Sequence, residues 1–416
     1  MADKEQIIKD FAAYSQPAKT EIWQRYGMDL VVGRREGPYI WDIEGGEPRI
    51  NLHINGGTYN LGHRNPEIIA ALKEALDELE LDIGNGHLIS QYRAQTAKKL
   101  AELMPGDLTY SIFNVSGGEA VDCALKVARG FTRRLKIISA NGGYHGHTGL
   151  AMFTGDAKYR DLFMPQPPGY QQVPYADIAA LEAAVDDDTA AVIMETIPAT
   201  LGMPIPPPEY FPKVRELCDQ RGALLILDEV QTGFGRTGKL WAFEHYEVVP
   251  DIVVLAKGTS GGIYPITATV LREPLIHIFE DDPFAHVSTF GGAELGCRVL
   301  LKVLEICSAP EFLDHVNTLA EAFAEGVEKL RRKHSDFLVR LRQLGLFMGL
   351  EFIDDWSGPL VTSTSYHQGL WMIWANNDKR VMQFLPPLNI ELGLVDEIME
   401  KLDVALLAAK QLKGMA

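Results

Sequence analysis

Cysteine is scarce: the chain has four in 416 residues, at Cys123, Cys218, Cys297 and Cys307. No two form a C-x-x-C pair, so neither a zinc site nor a disulfide framework is implied, and free thiols in a reducing compartment are expected. Long apolar runs are missing too. The purest reach about five residues, as at 223–227, against the ~20 needed to span a bilayer. Positive charge is in deficit, with 39 Lys and Arg against 56 Asp and Glu, a formal charge of −17. That balance opposes nucleic-acid binding, which needs a basic footprint, and has the wrong sign for anionic lipid. The opening MADKEQIIKDFAAYSQ is charged throughout and has no apolar centre. No secretory signal is read there, and a cytoplasmic protein is expected. Fixed-period repeats and low-complexity blocks are also absent.

What is present is ordinary globular composition, 46% hydrophobic and 23% charged. A chain of this length buries a core without covalent staples. The runs KIISA (136–140), TAAVIME (189–195), ALLILDE (223–229) and DIVVLAK (251–257) read as strands. Between the second and third lies the helical PKVRELCDQRG, with Gly222 as its stop. Such alternation reads as βαβ units around a parallel sheet buried on both faces. The texture changes towards the C-terminus. One long helical pattern runs from Glu294 to about Lys333, strand-like FLVRLRQ and FMGLEFI follow, and LVDEIMEKLDVALLAAKQL ends the chain as a helix. The expected division is an N-terminal segment 1–55 packing with the small domain, a large α/β domain 56–300, and a smaller α+β domain 301–416.

In open α/β sheets ligands bind beyond the carboxyl ends of the strands. Asp228 follows ALLIL, and Lys257 follows DIVVLA. Either residue alone would pass as a strand-end charge; their common placement is what points to a site. A third element lies at Ser116-Gly117-Gly118-Glu119, a capping box opening the helix AVDCALKVARG. Two glycines in a first turn, with the helix dipole, make an anion site, although a capped helix with no ligand has the same pattern. Pyridoxal phosphate chemistry uses all three: a lysine for the Schiff base, a carboxylate to keep the pyridine nitrogen protonated, and a helix N-terminus for the phosphate.

Other motifs compete. Gly233, Gly235 and Gly238 fit G-x-G-x-x-G, and with Lys239 they fit G-x-x-x-x-G-K. The P-loop form fails at Leu240, where Ser or Thr should stand, and DEVQT separates the first glycine from the strand, although an acid, Asp251, does follow. A plain glycine-rich loop is the stronger reading. His145 and His147 in GGYHGHTG have no Cys, Asp or Glu in their loop, so a metal is not expected. The loop is better suited to aiming Tyr144 or His145 at something flat.

The segment ILDEVQTGFGRTGKLWAFEHYEVVPDIVVLAKG resembles the signature of the class III pyridoxal-phosphate aminotransferases, ω-aminotransferase subgroup. The resemblance extends through NLGHRNPEIIAAL, VSGGEAVDCALKVAR, NGGYHGHTG, STFGGAELG and FLPPLNI, nearly the whole chain. It implies fold type I: a large domain with a mostly parallel seven-stranded sheet flanked by helices, plus a smaller α+β domain. Lys257 then matches the Schiff-base lysine and proton shuttle, Asp228 the pyridinium partner, and Gln231 the residue bonded to the ring hydroxyl. Val230 and Tyr144 would cover the two ring faces, and Gly117 and Gly118 would hold the phosphate beside Ser116. His145 and Glu195 are expected among the cofactor-binding residues, and Thr289 is expected to reach the phosphate of a partner subunit in a homodimer.

This chain departs from the family at three places. SGGEA replaces SGSEA or SGTEA, removing a hydroxyl at Gly118. Gln383, with Arg380 three residues earlier, stands where many members carry the arginine that grips a substrate carboxylate. Residues 195–202 read ETIPATLG, so the glutamate that pairs with that arginine is replaced near Thr200. The two losses are consistent, since a buried acid without its arginine is costly. The expected reaction is amino transfer from a primary amine or amino acid to a keto acid or aldehyde, without the α-carboxylate grip of acetylornithine or ornithine aminotransferases. A racemase, aminomutase or decarboxylase on the same scaffold is the alternative.

Overall fold

The computed structural model describes residues 3–84 and 86–415. Its centre is a seven-stranded sheet in the order Leu108–Asn114, Thr267–Arg272, Ile252–Leu255, Leu224–Asp228, Thr189–Glu195, Lys136–Ala140, Tyr170–Val173. Only Thr267–Arg272 runs antiparallel to its neighbours. The continuous apolar runs follow from burial on both faces. Val192, Met194, Leu225, Leu227, Val253 and Leu255 enter one core. Their alternates Ala191, Ile193, Leu224, Ile226, Ile252 and Val254 enter the core on the other face. The helix Tyr210–Arg221 ends on Gly222, whose φ of 61° is the left-handed turn a glycine supplies without strain.

The pattern from Glu294 to Lys333 is two helices, Glu294–Cys307 and Pro310–Lys333, which corrects the single helix expected above. Pro310 has no N–H and clashes with a preceding helical turn, so it opens the second helix. Amphipathicity ran through the break because both helices bury one apolar face. After them, Leu338–Leu344, Phe347–Phe352, Asp378–Phe384 and Ile373–Ala375 form a four-stranded sheet. The closing helix is Leu394–Leu412.

At the other end of the chain, Val32–Glu36, Tyr39–Asp42 and Gly45–Asn51 form a sheet whose last member is Leu370–Trp371, parallel to Gly45–Asn51. Next to it the chain makes a left-handed turn: Ile54, Asn55, Gly56 and Gly57 all have positive φ, at 46°, 52°, 64° and 106°. A β-branched residue is rare in that region. Among the described residues, no helix is long and apolar enough to cross a membrane.

Candidate active site

Three neighbouring strands end in ionisable groups. Glu195 and Asp228 are register partners at the last positions of adjacent parallel strands. Lys257 lies two residues beyond Leu255 on the next strand over. Its φ of +50° is unusual for a side-chain-bearing residue, a conformation that costs on the order of 1–3 kcal/mol and persists where the surroundings fix it. Burial lowers the Lys257 ammonium from its ordinary range, against the opposing pull of Asp228 and Glu195.

The loop after Lys136–Ala140 supplies the rest. His145 Nδ1 lies 2.8 Å from Asp228 Oδ2, in a hydrogen bond where the ring donates to the carboxylate. The backbone N–H of Val230 donates to Asp228 Oδ1 at 3.0 Å. Burial disfavours the charged imidazole, yet the bond to Asp228 and its charge raise His145 overall. Glu195 accepts from the backbone N–H of Tyr144 at 3.0 Å. With little else to satisfy it, burial pushes its carboxyl up to about 7.

A pH prediction follows from Glu195. Its folded value lies above the ordinary 4.5. The folded state therefore holds a proton that the unfolded chain releases, and stability relative to a neutral residue is full below about 4.5 and is lost as pH rises through about 7. In cofactor-free protein, Glu195→Gln is expected to flatten the fall in unfolding free energy across that window, measured by urea titration at several pH values. Parallel pH curves for the two proteins would disprove it.

These residues surround a cavity of about 280 Å³. Ser116, Gly117, Gly118, Tyr144, His145, Glu195, Asp228, Val230, Gln231 and Lys257 all line it. The helix Gly117–Thr132 points its N-terminus here, with Ser116 Oγ accepting from Glu119 N at 3.2 Å. Glu119 Oε2 accepts from Val115 N at 3.0 Å, one residue before the N-cap, so only the Ser116 half of the expected capping box forms. First-turn N–H groups have no helical acceptor and suit an anion. Gln231 Oε1 and His145 Nε2 are buried with no hydrogen-bond partner among the described residues. A flat heteroaromatic ring with a phosphate at one end and a protonated nitrogen against Asp228 fits this donor set, so the residues present fit pyridoxal phosphate.

Other sequence candidates lie elsewhere. Thr289 does not line this cavity but a separate one of about 610 Å³, with Ile83, His87, Phe284 and Val287. His147 packs edge-on to Tyr144 and at a tilt against Tyr159, with centroids 4.9 and 4.6 Å away, instead of joining His145. The 233–238 glycines admit close packing. A Cβ at Gly238 would lie 2.1 Å from Asn317 Oδ1, and one at Gly345 would lie 2.3 Å from the Thr237 carbonyl carbon. Asp251, the acid of the dinucleotide pattern, accepts from Arg215 Nη1 at 2.6 Å and from Leu225 N at 2.7 Å, a structural role. Gln383 is buried; Thr200 Oγ1 donates to the Gly142 carbonyl at 3.2 Å; Arg380 is partly exposed and held by Asp378.

Sequence reading missed Thr58, Ala256 and Ser260 in the lining, and the left-handed turn. A Cβ at Gly56 would lie 3.3 Å from Lys257 Cε and 3.4 Å from Gln231 Nε2, so main chain packs directly against both side chains. The adjacent Gly56-Gly57 was the available signal. Burial also pulls His53, beside Lys257, down to about 4.

Fold and cavity together define a pyridoxal-phosphate enzyme of fold type I. The class III aminotransferase profile matches residues 23–406, and the chain belongs to that family. An uncharacterized aminotransferase of Archaeoglobus fulgidus is 54% identical over 99% of this chain and 96% of its own. Ornithine aminotransferase of Toxoplasma gondii superposes with a TM-score of 0.89 at 27% identity, covering 99% of this chain and 96% of that one. An (S)-enantioselective ω-transaminase from Thermomicrobium roseum gives 0.88 at 25%, covering 98% and 99%. The protein is thus a pyridoxal-phosphate-dependent aminotransferase, transferring an amino group from an amine or amino acid to a carbonyl acceptor.

Proposed function

We propose that Lys257 is the amine that holds the cofactor and carries the substrate proton, and that Asp228 meets the ring nitrogen. When bound, pyridoxal phosphate supplies an electron sink for the carbanion formed on proton removal. The observation that carries this reading is the shared cavity: Lys257, Asp228 and the N-terminus of Gly117–Thr132 all line it. A base must be neutral to accept a proton, and burial moves Lys257 in that direction. His145 and Val230 N–H fix the orientation of Asp228, so it acts by preorganised charge. Val230 and Tyr144 would cover the ring faces, Gln231 would meet the ring hydroxyl, and Ser116, Gly117 and Gly118 would receive the phosphate. Glu195 holds the loop bearing Tyr144.

The donor, in this reading, is held without an arginine clamp on its carboxylate. Gln383 and Thr200 are neutral, and Arg342 is consumed by Glu351 at 2.8 Å and by Asp378 at 3.5 Å. A neutral amide offers hydrogen bonds but no bidentate grip. Primary amines and ω-amino donors are the expected class, and at 27% identity the ornithine enzyme does not set the substrate. A panel of amines, ω-amino acids, diamines and α-amino acids against pyruvate and 2-oxoglutarate tests this. A donor alone should convert the cofactor to its pyridoxamine form with stoichiometric carbonyl product. Isomerised donor without that conversion would sink amino transfer, and preference for α-amino acids would sink the donor class.

The division at 1–55, 56–300 and 301–416 belongs to the same proposal, supported by the pairing of Gly45–Asn51 with Leu370–Trp371. So does cytoplasmic placement, supported by four buried free cysteines. A homodimer is supported by the exposed apolar Ile83, Leu88, Ile89, Phe284, Val287 and Phe290. In that dimer, Thr289 of the partner subunit completes the phosphate site. Mixed dimers of Lys257→Ala and Thr289→Ala subunits should then regain one tight cofactor site per dimer by equilibrium dialysis. No tight site in the mixed species would place Thr289 with its own Lys257, and undiminished binding by the Thr289→Ala homodimer would take Thr289 out of the site.

A further inference from the structure

Position 118 lacks the hydroxyl its resemblance leads one to expect, and another side chain takes up the space. Gly118 is the second residue of Gly117–Thr132. A Cβ there would lie 2.5 Å from Thr148 Oγ1, 3.1 Å from its Cγ2 and 3.3 Å from its Cβ. Favourable contacts need about 3.5–4.0 Å, so the two side chains exclude each other. Thr148 arrives on the loop that carries Tyr144 and His145. That loop sits directly on the helix: Gly146 has φ +105°, and a Cβ there would lie 2.6 Å from Gly118 Cα. Thr148 Oγ1 donates to Asp122 Oδ2 at 2.9 Å, one turn along from Gly118. Asp122 Oδ1 accepts from Ala151 N at 2.7 Å, pinning the loop's far end.

We propose that Thr148 is a positioning residue that replaces the missing side chain at 118. It clamps the Tyr144–His145 loop onto the first turn of the phosphate helix, leaving the N–H groups of Gly117 and Gly118 bare for the anion. Glycine at 118 and threonine at 148 form one exclusive pair, tying the phosphate end of the site to the ring end. This rests on the reading of the cavity as the pyridoxal-phosphate site.

The swap is the test. Gly118→Ser alone is expected to weaken pyridoxal phosphate binding about tenfold or more, because the loop must move off the helix. It should also change the visible circular dichroism of the residual bound cofactor, because Tyr144 and His145 move with that loop. Thr148→Ala removes the two nearest atoms and leaves a Cβ at 3.3 Å that a shift of a few tenths of an ångström accommodates, so Gly118→Ser/Thr148→Ala should return to within about threefold of the parent, a non-additivity that marks direct coupling. Inorganic phosphate binding to cofactor-free protein should follow the same order. Should Gly118→Ser fail to fold, Gly118→Ala meets the same atom and serves with the same rescue. Overturning results are a Gly118 variant that binds like the parent, a double variant no better than the single, or a fall in the apo melting temperature with binding and dichroism unmoved. A parent protein that holds no borohydride-reducible cofactor would overturn the functional reading itself, and this pairing with it.

Discussion

Lys257→Ala should abolish turnover, with a loss of at least about four orders of magnitude, since the same amine holds the cofactor and moves the proton. The borohydride-reducible link between protein and cofactor should vanish with it. Stability should not follow. In the parent the ammonium is buried, its proton affinity lowered by desolvation, and its backbone sits at φ +50°. Burying a charge is unfavourable unless it is well paired, so the cofactor-free alanine variant is expected to melt no lower than the parent. Differential scanning calorimetry of both apo proteins, beside a single-turnover assay, separates the two effects. Residual reducible cofactor in the variant would remove Lys257 from its assigned role.

The second large effect is expected at a residue outside the cavity lining. Arg236 has no exposed surface and, among the described residues, no carboxylate as a hydrogen-bond partner. Its Nη1 donates to the carbonyls of Leu346 at 3.2 Å and Pro386 at 2.7 Å, and Nη2 donates to Asn60 Oδ1 at 2.8 Å. Burial draws the guanidinium down to about 9. One side chain therefore joins the 233–240 loop to the turn after Leu338–Leu344, to Pro386 and to the N-terminal part of the chain. Arg236→Ala strands three acceptors, at about 1–3 kcal/mol each, and leaves a cavity that adds to the loss. Relief of the buried charge offsets part of this. A net loss on the order of 4 kcal/mol is expected in urea unfolding; a loss under about 1 kcal/mol would mean that desolvation cancels the bonds.

The strands Thr189–Glu195, Leu224–Asp228 and Ile252–Leu255 were legible because burial on both faces leaves an unbroken apolar run. Their ends marked Asp228 and Lys257. The neighbours of those ends depend on register and on a loop 83 residues from Asp228, so the His145 bond had no local signal. The 233–238 glycines looked like a nucleotide fingerprint because close approach of any backbone selects glycine. Here what approaches is Asn317 and the Gly345 turn, not a phosphate. The break before Pro310 was hidden by continuous amphipathicity, although the proline itself was visible. The Gly118–Thr148 exclusion was half legible: the absent hydroxyl could be read, but not what fills its place.

The left-handed turn at 54–57 carries a lesson for anyone re-engineering the enzyme. Gly56 leaves no room for a side chain against Lys257, since a Cβ there would lie 3.3 Å from the lysine Cε. A mutant library there meets a fully buried Ile54 and two buried glycines at positive φ, where most substitutions strain the core or the backbone. Room for bulkier amines is better sought at side chains that do line the chamber, Thr58 among them.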